Sequence, residues 1–209
     1  MIVIVDYGRG NLFSLSQALR HLGIAHVVSD RPEDVLQADR VIFPGVGAFG
    51  DAMNELRHRD LVEPLREVVA AGKPTLGICV GCQLMLARGE EFGDHEGLGF
   101  FSGNVSRLPG PRSEDVSPTR IPNVGWHPLM VNSATRFFDS KAAGEWMYFV
   151  HSYAPFPKDP SHVAATIAVN GIEVPVAIER DNLVGVQFHP EKSGPAGLRF
   201  LSRFLEAGM

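Results

Sequence analysis

Residues 75–83 read Thr75-Leu76-Gly77-Ile78-Cys79-Val80-Gly81-Cys82-Gln83. A short apolar run ends on a cysteine set between two glycines, and a helix-forming stretch follows. The pattern predicts a strand over residues 75–78 and a helix opening within residues 81–88. G-x-C-x-G is the thiol counterpart of the G-x-S-x-G nucleophile elbow, where a tight turn lifts the nucleophile off the carboxyl edge of a sheet. A helix starting there favours a thiolate at Cys79 through its N-terminal dipole. It also offers free N–H groups to a developing oxyanion, with that of Val80 the natural donor. Cys82 lies one helical turn further on and reads as packing; a C-x-x-C redox pair is the other meaning of this spacing. Gln83, four residues after Cys79, falls on the nucleophile's side of the helix.

The elbow belongs to a repeating strand–helix pattern. Residues 2–6 form an apolar strand, and Asn11 stands where it can cap a helix carrying Leu12, Leu15, Leu19 and Leu22. Residues 40–43 are a second strand, running into Pro44-Gly45-Val46-Gly47. Residues 51–71 read as helix broken near Asp60. This alternation predicts an α/β fold: a single domain with a mainly parallel open sheet and flanking helices. Closely spaced strand-like runs follow at residues 97–108, 124–131, 146–153, 163–169, 174–179 and 183–187, some of them antiparallel. A last helix is expected over residues 194–205. The polar stretch 110–119 reads as a surface loop.

Two further segments should meet the elbow at the carboxyl edge, where open parallel sheets place their ligand crevices. Pro44-Gly45-Val46-Gly47 follows a parallel strand, and a peptide N–H from Val46 or Gly47 would be a second oxyanion donor. The other is Val186-Gln187-Phe188-His189-Pro190-Glu191-Lys192. Pro190 biases His189 towards extended geometry. Residues i and i+2 of an extended chain point the same way, so Glu191 can reach His189. A carboxylate on one ring nitrogen fixes the tautomer and leaves the other nitrogen as base. Cysteine, histidine and acid together make an activated thiol.

The 209 residues carry a net charge of -5, so no basic footprint for nucleic acid is present. The N-terminal apolar run stops at Asp6, too short for a signal segment or a membrane span. Two cysteines three residues apart on a helix do not suit a disulfide, which points to a reducing cytoplasm. No metal or cofactor motif is present.

With these pieces assembled, the chain resembles the class I, triad glutamine amidotransferases, in the branch that serves imidazole glycerol phosphate synthase. The resemblance spans nearly the whole chain: V-D-Y-G-R-G-N-L at 5–12, P-G-V-G-A-F-G-D-A-M at 44–53 and L-G-I-C-V-G-C-Q-L at 76–84. It continues with G-L-G at 97–99, V-G-W at 124–126, Y-F-V-H-S-Y at 148–153 and G-V-Q-F-H-P-E-K-S at 185–193. It implies that Cys79 attacks the glutamine amide, His189 shuttles protons and Glu191 orients His189. Gln83, Gly47 and the backbone of His151, Ser152 and Tyr153 would hold the glutamine. A (β/α)8-barrel synthase partner is implied, with Asn11, Trp126, Tyr148 and Lys192 at positions facing it. Ammonia would pass into that barrel, giving imidazole glycerol phosphate and an aminoimidazole carboxamide ribotide. Two departures stand out. Cys82 replaces a common methionine, and the family's P-H-x-G-W-N reads Pro122-Asn123-Val124-Gly125-Trp126-His127. They leave open a relative feeding another synthase, such as one making amidino sugars. A γ-glutamyl thiol hydrolase is the reading from a different class.

Overall fold

The computed structural model describes residues 1–111, 120–132, 135–138 and 140–207. The first half alternates as expected: β1 (Ile2–Val5), α1 (Leu12–His21), β2 (Val27–Ser29), α2 (Pro32–Gln37), β3 (Arg40–Gly45), α3 (Phe49–His58), α4 (Val62–Ala70) and β4 (Thr75–Cys79). The helix break falls at Asp60, which turns the chain at φ +55° between α3 and α4. β2 and α2 are additions to the sequence reading. β2 is three residues with two of them exposed, too short for an apolar period to register.

After the elbow the expected long helix is cut to α5 (Val80–Leu84), and the chain re-enters sheet as β5 (Leu86–Gly89). Pairing decides this: β5 is hydrogen-bonded to β6 (His95–Glu96) and to β7 (Phe101–Arg107). Residues 97–100 lie outside β7, with Gly99 turning the chain at φ +73°. β8 (Asn123–Pro128) and β9 (Met130–Val131) divide one expected run between two sheets, and β10 (Trp146–His151) and β11 (Tyr153–Pro157) divide another at Ser152. β12 (Val163–Val169), β13 (Ile172–Arg180), β14 (Leu183–Val186) and α6 (Gly194–Glu206) complete the chain. The surface loop expected over residues 110–119 lies largely outside the described residues.

The main sheet runs β2-β1-β3-β4-β14-β13-β12-β9. The pairings from β2 through β14 are parallel, and those from β14 outward to β9 are antiparallel. Every residue of β3 and β4 is buried, as strands covered on both faces must be. The register sets the site. Gly45 lies opposite Cys79 on one side, and Val186 lies opposite Ile78 on the other. The P-G-V-G loop, the elbow and the segment entering His-Pro-Glu therefore leave the sheet side by side.

α6 buries Ala196, Gly197, Phe200, Leu201, Phe204 and Leu205, a stripe at helical spacing. Phe188 meets Phe200 edge-on, Phe138 lies tilted against the same ring, and Phe149 of β10 packs edge-on against Phe188. This aromatic cluster ties α6, the β8–β10 ribbon and the segment before His189 into one core. Arg40 donates from Nη1 to the carbonyls of Phe204 and Ala207, capping the C-terminal end of α6.

Candidate active site

Cys79 sits where β4 passes into α5, at φ +56° and ψ -112°, a strained backbone for a residue with a side chain. The flanking glycines make the turn possible by close approach. A Cβ on Gly77 would lie 2.6 Å from the Gly81 carbonyl oxygen, and one on Gly81 would lie 1.9 Å from that of Phe43. α5 has only five residues, so electrostatic help for the thiol comes from its first free N–H groups more than from a long macrodipole. Cys82 faces away from the cleft: its Sγ would meet a Cβ on Gly185 at 2.7 Å, and burial pushes its thiol pKa well up. Both cysteines are free.

His189 is extended (φ -100°, ψ 95°), as Pro190 requires. Its N–H donates to the Tyr148 carbonyl at 3.0 Å. Glu191 lies in a short 3-10 turn, Pro190–Lys192, where extended chain was expected. The turn still brings its Oε1 to 2.8 Å from His189 Nδ1, and the two side chains are only 4% and 2% exposed. A carboxylate can only accept, so Nδ1 carries a proton. His189 Nε2 and Glu191 Oε2 are buried without a hydrogen-bond partner among the described residues. Burial lowers the basicity of His189. The Cys79 sulfur and the Glu191 carboxylate outweigh it and hold the pKa up at about 10.

Cys79 and His189 open onto a cavity of about 440 Å³. Val46, Gly47, Val80, Gln83, His151, Ser152 and Tyr153 line it, which gathers every residue expected to hold glutamine or an oxyanion. Gly47 turns the loop at φ +95°. The Val46 N–H donates to the Arg9 carbonyl at 2.7 Å, so in this conformation it does not serve the cleft. Gln83 gives one N–H to the Tyr153 carbonyl (3.2 Å) and one to Gln187 Oε1 (2.9 Å). Gln187 Nε2 in turn points at Cys79 Sγ, 3.5 Å away.

The expected interface residues are not equivalent. Trp126 and Tyr148 meet edge-on, with ring centroids 5.9 Å apart, on the outer face of the β8–β10 ribbon. Val124, Trp146 and Val150 are exposed on the same face. Lys192 is exposed in the His-Pro-Glu turn. Asn11 occupies the N-cap position of α1 but makes no side-chain cap bond; its Nδ2 donates to Glu191 Oε1 at 3.4 Å. The expected capping role is thus replaced by a contact with the acid. The carboxylate outbids the helix end because it is charged and buried.

A family model described as "Glutamine amidotransferase class-I" matches residues 3–207. The chain belongs to the class I glutamine amidotransferases. The imidazole glycerol phosphate synthase subunit HisH of Syntrophotalea carbinolica is 45% identical over 204 residues, 98% of each chain. That of Zymomonas mobilis subsp. mobilis is 47% identical over 210 residues, 98% of this chain and 95% of its own. Among solved structures, a glutamine amidotransferase superposes with a TM-score of 0.73 at 20% identity, each chain covered in full. PurLQS from Thermotoga maritima gives 0.72 at 20% identity, covering 98% and 97%. At that identity the likeness is one of fold.

In this amidotransferase, three residues near the site were not singled out from the sequence. Glu91 lines the cavity, its Oε2 accepting the Phe49 N–H at 3.0 Å. Gln187 is fully buried beside the thiol. Ser193 donates to the His189 carbonyl (2.6 Å) and accepts the Tyr148 N–H (3.0 Å), stapling the ribbon to the base. Gln187 and Ser193 stand in the 185–193 segment on either side of His189-Pro190-Glu191, a position that could have singled them out, whereas nothing in the sequence marks Glu91.

Proposed function

We propose that this amidotransferase is the glutaminase subunit of a cytoplasmic imidazole glycerol phosphate synthase, its whole length serving as one glutaminase domain. It forms a heterodimer with a (β/α)8-barrel synthase. The observation that carries the reading is the meeting of Cys79 with a carboxylate-paired His189 at one cavity. Glutamine enters with its side-chain amide at Cys79. The Glu91 carboxylate suits its α-ammonium, and Gln83 with the 151–153 backbone bounds the other wall. The Cys79 thiolate attacks the amide carbon, and the Val80 N–H takes the oxyanion. His189, protonated at Nε2, gives its proton to the leaving nitrogen, so ammonia departs and a thioester remains. Water, deprotonated by His189, attacks the thioester; glutamate leaves and the thiolate returns.

The exposed ribbon face of Trp126, Tyr148 and their neighbours, with Lys192 beside it, is where the barrel docks. Ammonia then reaches the barrel without passing through bulk water, where it would be protonated and lost. The test is co-purification with the candidate barrel, assayed for glutamine-dependent formation of imidazole glycerol phosphate. A stable complex with cyclisation is expected. A complex that forms but hydrolyses no glutamine would overturn the reading.

A further inference from the structure

The side chains of Asn123 and His127 lie on the inner face of β8, away from the exposed aromatic face. Asn123 is 2% exposed and sits directly opposite His151 of β10. His127 Nε2 lies 2.8 Å from Asn123 Oδ1. Asn123 Nδ2 lies 3.1 Å from His151 Nε2. His151 Nδ1 lies 2.9 Å from the Tyr153 carbonyl. With His151 neutral, only one assignment of protons satisfies all three contacts. A carbonyl only accepts, so His151 Nδ1 carries the hydrogen and its Nε2 is an acceptor. Asn123 must then present its amide N–H to His151 and its oxygen to His127, which donates from Nε2.

The chain of contacts does not end at Tyr153. The same carbonyl accepts the Gln83 N–H, and Gln83's second N–H goes to Gln187, which reaches the thiol. With both N–H groups committed, Gln83 has its Oε1 left for the cavity. Were His151 in the opposite tautomer, a ring lone pair would face the Tyr153 oxygen at 2.9 Å. That repulsion would open the turn at Ser152, which lines the cavity. Burial also keeps His151 neutral, lowering its pKa to about 4.

We propose that Asn123 and His127 are positioning residues of the glutamine pocket: as a polarised pair they hold His151 as the Nδ1–H tautomer and thereby fix the Tyr153 carbonyl and Gln83. This rests on reading the cavity as the glutamine site. Each member of the pair offers one donor and one acceptor, so exchanging the two residues preserves the polarity. A neutral histidine at position 123 can donate to His151 while accepting from an asparagine at 127. The departure from the family's P-H-x-G-W-N is then a compensated exchange.

Two measurements test this. Nitrogen-15 histidine spectra of the full chain at neutral pH, with His151 assigned by its loss in His151→Gln, should show the neutral Nδ1–H tautomer. The Nε2–H tautomer or an imidazolium would overturn the proposal. In the complex with the barrel, Asn123→Leu leaves buried partners unpaired and should raise KM for glutamine roughly 10-fold, with kcat changed by less than about threefold. Asn123→His and His127→Asn should each raise KM, and the double exchange should bring it back to within about threefold of the parent. An unchanged KM in Asn123→Leu, or a double exchange no better than its worse single, would overturn it. If Asn123→Leu does not fold, the half-buried His127→Leu takes its place beside the spectrum. A parent complex that hydrolyses no glutamine would sink the proposed function itself. Parent turnover with indifferent variants sinks only this inference.

Discussion

Cys79 is strained, buried and placed at the cavity, whereas Cys82 is turned into the sheet with its thiol pKa raised. Cys79→Ala should therefore abolish glutamine hydrolysis and Cys82→Ala should retain most of it, measured as glutamate released. Ammonia-dependent synthesis by the partner should survive Cys79→Ala, because the thiol only generates ammonia. Reversed phenotypes would mean the elbow is wrongly placed. Glu191 reaches His189 through Nδ1 alone, as an orienter does. Glu191→Gln preserves the shape and invites the wrong tautomer, which costs ~10⁴-fold in the analogous serine-protease substitution. It should be milder than His189→Ala; equal and complete loss in both, with folding intact, would give the acid a direct proton-transfer role. His151 makes a prediction about pH. Burial, aided by repulsion from His127 and His189, lowers its pKa from about 6.5 to about 4. Below about pH 6.5 the unfolded chain binds a proton that the folded chain refuses, so this stability is present above 6.5 and is lost as pH falls towards 4. Thermal unfolding between these values should be steeper in pH for the parent than for His151→Gln, by up to ~1.4 kcal/mol per unit. Parallel slopes would remove His151 from the account.

At the scale of elements, the site depends on backbones packed closer than a side chain allows. A Cβ on Gly197 of α6 would lie 1.9 Å from the Pro190 carbonyl oxygen, so the helix rests directly on the His-Pro-Glu turn. Gly197→Ala must push α6 and that turn apart. It should cost a few kcal/mol of stability, in the range of other overpacked cores, and should lower kcat through His189 although it lies outside the cavity. Gly110→Ala, with nothing within 4 Å of its Cβ, should unfold like the parent. Thermal melts and glutaminase assays of both variants decide the matter. Normal stability and kcat in Gly197→Ala would mean the contact is soft.

At the scale of the whole molecule taken alone, one of the two N–H groups proposed as the second oxyanion donor, that of Val46, is bonded to the Arg9 carbonyl. Losing one such donor typically costs ~10²–10³ in turnover. The isolated chain should therefore hydrolyse glutamine slowly, and the barrel with its acceptor nucleotide should stimulate it by a factor of that order. Stimulation requires that the liganded partner bind the turned loop better than the resting one, since equal affinity shifts nothing. Ser193 and the Tyr148–His189 hydrogen bond join the ribbon proposed to face the partner to His189, giving that preference a physical route. Hydrolysis measured for the chain alone, with partner, and with partner plus nucleotide settles it; full activity alone would sink the switch.

The sequence by itself determined the parallel half of the fold, because β1, β3 and β4 are continuous apolar runs separated by amphipathic helices, and such periodicity is local information. It also marked Cys79, His189 and Glu191 as a candidate set, because an elbow and a His-Pro-Glu segment each carry their chemistry within a few consecutive residues. The truncation of α5, the split of 146–153 into two strands and the release of Asn11 from its helix end were decided only in the tertiary structure. In each case a distant partner outweighed a local preference: β7 for residues 86–89, β7 and β8 on either side of Ser152, and the Glu191 carboxylate for Asn11. Glu91, Gln187 and the Asn123–His127 pair owe their places to strands far apart in the chain, and no spacing along the sequence encodes a proton's direction through them.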